Sequence, residues 1–154
     1  MTDLVVLAFL IGVVAGLRSL TAPAVASWAV RLGWLHPDRP LWAFWGYAAT
    51  AYILGVLAVG ELIADKLPNA PSRKAPLGFI ARIVTGALSG AVFGVTAEAV
   101  VVGAAAGVVG AFFGTFGGYA ARVWLGRLVG KDLPVALLED AVAIGGALLL
   151  VRWG

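Results

Sequence analysis

The chain has 154 residues, 62% of them hydrophobic and only 12% charged, with a formal charge of +3, and its mean hydropathy is +1.00. A soluble domain devotes about 25% of its residues to charge, so this composition excludes an ordinary water-exposed surface and calls for one that faces lipid. The absence of cysteine excludes disulfide and thiolate chemistry, and the small basic excess, spread over loops and helix ends, is a topology signal rather than a nucleic-acid surface.

The first apolar stretch runs from Leu4 to about Leu35 and is interrupted by Arg18-Ser19-Leu20-Thr21-Ala22-Pro23. Thr21 suits an N-cap and Pro23 a first helical turn. The pattern therefore predicts two helical pieces, about 4–18 and 21–35, each near the short limit for crossing a bilayer. The alternative is one long helix kinked at Pro23. The first three residues carry Asp3 and no Lys or Arg, which argues against a cleaved signal peptide.

His36-Pro37-Asp38-Arg39-Pro40 reads as a loop. A strong span is predicted from Trp42 to about Lys66. The 67–76 segment contains Pro68, Pro71 and Pro76 and is the longest polar loop. Another span covers Leu77 to about Val95, with Arg82 near its start. Thr96 is placed to cap the next helix and Glu98 to sit in its first turn. That helix runs from about Ala97 towards Val129. Its Gly103, Gly107, Gly110, Gly114 and Gly117 recur every three or four residues, forming a stripe that admits close helix packing, within the chain or in a homo-oligomer. After a turn at Gly130-Lys131-Asp132, the last helix covers about Leu133 to Trp153. The six Trp fall mostly near the ends of apolar runs, where an interfacial aromatic belt belongs.

The expected fold is all-α: a polytopic transmembrane bundle of five or six helices forming one domain over 1–154. Reading 4–18 and 21–35 as a hairpin gives three helices on each side of the 67–76 loop, in opposite orientations, a weak inverted repeat. Arg73, Lys74, Arg122, Arg127 and Lys131 place the 67–76 loop and the 122–132 segment in the cytoplasm and the C-terminus outside.

Charges inside apolar spans cost at least about 2.5–3.5 kcal/mol each at the bilayer centre, so they are expected to be buried and paired. Glu61 and Asp65 lie four apart and share a helix face. Two neighbouring carboxylates need a cation or a shared proton, and Arg18, Lys66, Arg73 and Arg82 are the available counter-charges. Glu139 and Asp140 are adjacent and must point apart. The sole histidine, His36, lies in a loop. No catalytic set, metal-ligand spacing or cofactor motif is present.

Several blocks resemble a family of small bacterial integral membrane proteins catalogued as domain of unknown function 4126. They are Gly16-Leu17-Arg18-Ser19 with Thr21-Ala22-Pro23-Ala24, Gly60-Glu61-Leu62 with Ala64-Asp65-Lys66-Leu67-Pro68, Pro71-Ser72-Arg73, Arg82 with Gly86-Ala87-Leu88-Ser89-Gly90-Ala91, and Glu139-Asp140. The resemblance covers nearly the whole chain. It implies a membrane location and joins Ser19, Thr21 and Ser72 to the charged residues as one candidate polar site, without supplying an activity. The expected function is a small inner-membrane transporter or channel for an ion or solute. The alternative is a structural or accessory subunit whose charges only hold the helices together.

Overall fold

The computed structural model describes residues 2–67, 69 and 75–153. Among these residues the chain is all-helical, with no strand: α1 is Thr2–Leu17, α2 Thr21–Arg31, α3 Ala48–Ala64, α4 Pro76–Val95, α5 Val100–Val129 and α6 Asp132–Trp153, with a 3-10 helix at Pro40–Gly46 before α3. The helices α4, α5 and α6 are long and apolar enough to cross a membrane. The 3-10 helix and α3 make a fourth candidate if taken as one span bent by 54°. At 1.5 Å per residue α1 is about 24 Å long and α2 about 17 Å, against a hydrocarbon core of about 30 Å. Three to four spans therefore follow from length and composition.

Several helix ends differ from the sequence expectation, each for a local reason. The second piece stops at Arg31 instead of reaching Leu35, because Gly33 turns the chain with a φ of +71°. The 42–66 segment is not one helix: Pro40 opens the 3-10 helix and Tyr47 is extended, at φ −67° and ψ 141°. The fifth helix starts at Val100, not Ala97, since Glu98 takes a left-handed φ of 55° in the preceding turn. Thr96 donates to the Phe93 carbonyl at 2.6 Å, so it closes α4 rather than capping α5. The 122–132 segment is mostly helix, with Gly130 at φ +70° as its left-handed cap.

The most extensive interfaces join α1, α4 and α5, and glycine makes them. On α5, Gly103 and Gly107 lie against Gly86, Gly90 and Gly94 of α4. On an adjoining face, Gly107, Gly110 and Gly114 lie against Phe9, Gly12, Val13 and Gly16 of α1. A methyl built on Gly103 would stand 2.8 Å from the Gly94 Cα, closer than carbon atoms tolerate. Small residues four apart thus bring backbones into contact, as membrane helices require in the absence of a hydrophobic drive between them. This face of α5 is filled from within the chain. Gly117 takes no part in the packing within the chain: among the described residues no atom lies within 4 Å of a Cβ placed there.

Around this centre, α2 packs on α3, α6 and the 3-10 helix. Ser27 donates to the Trp45 carbonyl at 2.5 Å, and Trp45 is buried in the core rather than placed in an aromatic belt. Trp28 meets Tyr52 edge-on at 5.2 Å. Arg152 lies 5.7 Å from the Trp34 ring centroid, which ties the end of α6 to the segment after α2.

Candidate functional site

The site grows from the break between α1 and α2. A helix start leaves backbone N–H groups without partners, and inside an apolar environment no water meets them. The N-cap of α2 is Leu20, which offers no side-chain acceptor. Glu61 of α3 supplies the missing acceptors. Its Oε1 accepts from the Ser19 N–H at 2.8 Å and from the Ser19 hydroxyl at 2.5 Å, and its Oε2 accepts from the Leu20 N–H at 2.8 Å. A carboxylate at a helix start also meets the positive end of the helix dipole. Thr21, expected as the cap, is instead the first helical residue, and its buried hydroxyl has no hydrogen-bond partner among the described residues.

Arg18 is fully buried at the end of α1. Its Nη1 is bonded to Asp65 Oδ2, and its Nη2 lies 2.5 Å from Asp140 Oδ1. Lys66 Nζ lies 2.5 Å from the other Asp140 oxygen and donates to the Leu62 carbonyl at 2.9 Å. The chain Asp65, Arg18, Asp140, Lys66 therefore clasps the ends of α1 and α3 to α6. Arg18 pairs with Asp65, while Glu61 serves a helix start and pairs with no cation among the described residues. Arg82 of α4 is 6% exposed, and its Nη1 donates to the Gly78 carbonyl at 3.3 Å. Ser72 and Arg73 lie outside the described residues.

Glu139 diverges from Asp140, as adjacent residues on a helix must. It lies 3.7 Å from Arg122 Nη1, on the α5 side of α6. Arg122 also grips Asp132 with two bonds, of 3.0 and 2.6 Å. The sequence reading did not single out this Arg122–Asp132 pair. Its signal was present: two opposite charges flank a tight turn between consecutive helices.

Beside the clasp lies a cleft of about 280 Å³, bordered by Ser19, Glu61, Asp65, Gly78, Ala81 and Arg82. Two carboxylates and a guanidinium thus face one hollow where α1 and α3 end and α2 and α4 begin. Among the described residues no group of three or more Asp, Glu, His or Cys is placed to hold a metal ion. No protein-family model, curated protein or solved structure matches the chain.

Proposed function

We propose that this protein is a multi-pass bacterial inner-membrane protein that admits a small cation or proton at the Glu61–Asp65 cleft. The observation that carries this reading is the juxtaposition of a broken helix with a cleft bordered by Glu61, Asp65 and Arg82. Half-helix ends and buried carboxylates together are the means by which membrane transporters hold small ions. In this proposal α1, α2 and α3 complete a six-helix arrangement, the two halves run in opposite senses, and the polar end faces the cytoplasm by the positive-inside rule. The resemblance to the bacterial family supports the same location. Self-association through the α5 glycines falls to Gly117 and Gly126, since Gly103, Gly107, Gly110 and Gly114 are occupied within the chain.

One observation favours the architectural reading: Arg18, Asp65, Lys66 and Asp140 are mutually paired, and Glu61 is consumed by three donors. The two readings separate in proteoliposomes carrying internal proton, sodium or potassium indicators. Ala81→Trp fills the cleft from an exposed position and leaves the clasp intact. If the cleft is a passage, the wild type shows ion flux and Ala81→Trp abolishes it at unchanged melting temperature. Absence of flux for all three ions would leave the architectural role. A reporter inserted in the 67–76 loop reads orientation, with a cytoplasmic signal expected.

A further inference from the structure

Two hollows meet at Arg122, where α5 faces α6. The first, of about 160 Å³, is an apolar slot between α5 and α6 with Leu17, Leu125, Leu138 and Val142 among its walls. The second, of about 360 Å³, lies on the adjoining face of α5 and is bordered by Tyr119, Gly126, Arg127 and Asp132. Positions 118, 121, 122 and 125 border the slot, while 119, 122, 123, 126 and 127 border the hollow. They are neighbouring stripes of one helix. The slot is lined mostly by apolar side chains, with Arg122 and Glu139 at its border, and the hollow carries Arg122 and Arg127 beside Asp132. Arg122 is held by Asp132 and Glu139. Among the described residues the exposed Arg127 takes part in no ion pair, and neither does Lys131, also exposed and four residues further on.

The helix itself gives the pair a direction. At 30 residues, α5 is about 45 Å long and exceeds a hydrocarbon thickness of about 30 Å. Arg122, Arg127 and Lys131 all fall in or after its last turns, where it would leave the hydrocarbon. An apolar slot continuing into a cationic hollow at that depth is complementary to one kind of molecule, an amphiphile with a hydrocarbon chain and an anionic head. Basic pockets between helices at the membrane surface recognise anionic lipid headgroups in this way.

We infer that the α5–α6 groove binds an anionic phospholipid, its acyl chain in the Leu17–Leu138–Val142 slot and its phosphate beside Arg127. This inference rests on the membrane location proposed above but not on transport. The unpaired guanidinium selects for net negative charge, and the slot selects for a chain.

The test is native mass spectrometry of the full chain purified in a mild detergent, titrated with phosphatidylglycerol or phosphatidylcholine of identical acyl chains. The wild type should retain phosphatidylglycerol about fivefold more tightly, the ratio expected from roughly 1 kcal/mol per cation near an anionic surface. Arg127→Gln, a surface change, should abolish that preference while leaving the melting temperature unmoved. Leu138→Trp should weaken retention of both lipids by filling the slot. Equal retention of the two lipids by the wild type, or an undiminished preference in Arg127→Gln, would overturn the proposal. Excess inorganic phosphate should not displace the lipid; displacement would mean that the hollow takes free phosphate and the slot plays no part. Failure of the membrane location is seen separately, as extraction of the protein from membranes by alkaline carbonate.

Discussion

The α1–α4–α5 centre and the clasp at its polar end hold helices together by opposite means. In the centre, side chains have been removed. Glycines face glycines, backbone meets backbone, and attraction comes from many short dispersion contacts. At the clasp, large charged side chains converge, and the attraction is electrostatic and directional. The difference predicts different modes of failure. The centre fails when atoms are added, whereas the clasp fails when a charge is removed. The clasp also does what the centre cannot, by gathering the breaks in helical structure to one place and satisfying the polar backbone that those breaks release.

The largest effect is expected at Arg18. Arg18→Gln leaves Asp65 without the Arg18 cation and the buried Asp140 with Lys66 alone. Breaking a buried pair in this way costs about 3–5 kcal/mol. Thermal unfolding in detergent should show the loss, and adding Asp140→Asn should recover part of it. A variant as stable as wild type would mean that the clasp is decoration and that the centre alone holds α6.

The next effect tests the centre directly. Gly107→Leu forces a side chain into the α4 backbone at Gly86 and Gly90, a change expected to cost about 3 kcal/mol, at the upper end for overpacking. Gly117→Leu, in the same helix but with open space at its Cβ, should leave the melting temperature unchanged. Equal effects from the two would show that helix propensity, not close approach, is being measured.

Glu61→Gln is intermediate. The amide can still accept one N–H bond with its oxygen, but its NH₂ group faces a donor it cannot satisfy, and the charge that meets the α2 dipole is gone. A loss of about 1–2 kcal/mol is expected, in the range of a removed helix cap. Hydrogen exchange at the Ser19 and Leu20 amides should rise with it. Unchanged protection there would show that the carboxylate does not cap the break. The smallest effect belongs to Asp132→Asn. Its partner Arg122 retains Glu139 nearby, and the Asp132 side chain is 71% exposed, so no more than about 0.5 kcal/mol should be lost.

Much of this was legible in the chain itself. Low charge and high apolar content point to a lipid-facing surface, and among the described residues α4, α5 and α6 are long and apolar enough to cross a membrane. The three- and four-residue spacing of Gly103, Gly107, Gly110 and Gly114 puts those positions on one side of the helix, as the helical repeat requires. The cost of burying Arg18, Asp65 and Asp140 foretold that they would meet. Other features depended on distant residues. That Gly117 stays open while Gly114 is filled depends on where α1 ends. That Glu61, rather than Thr21, caps α2 depends on the approach of α3, about forty residues away in sequence. The Pro40–Tyr47 bend in the expected span, and the shortening of α2 at Gly33, were open to several local conformations until packing selected one. Composition and periodicity determine which surfaces must be covered; only the tertiary structure decides what covers them, because each partner is set by the whole path of the chain and not by its local pattern.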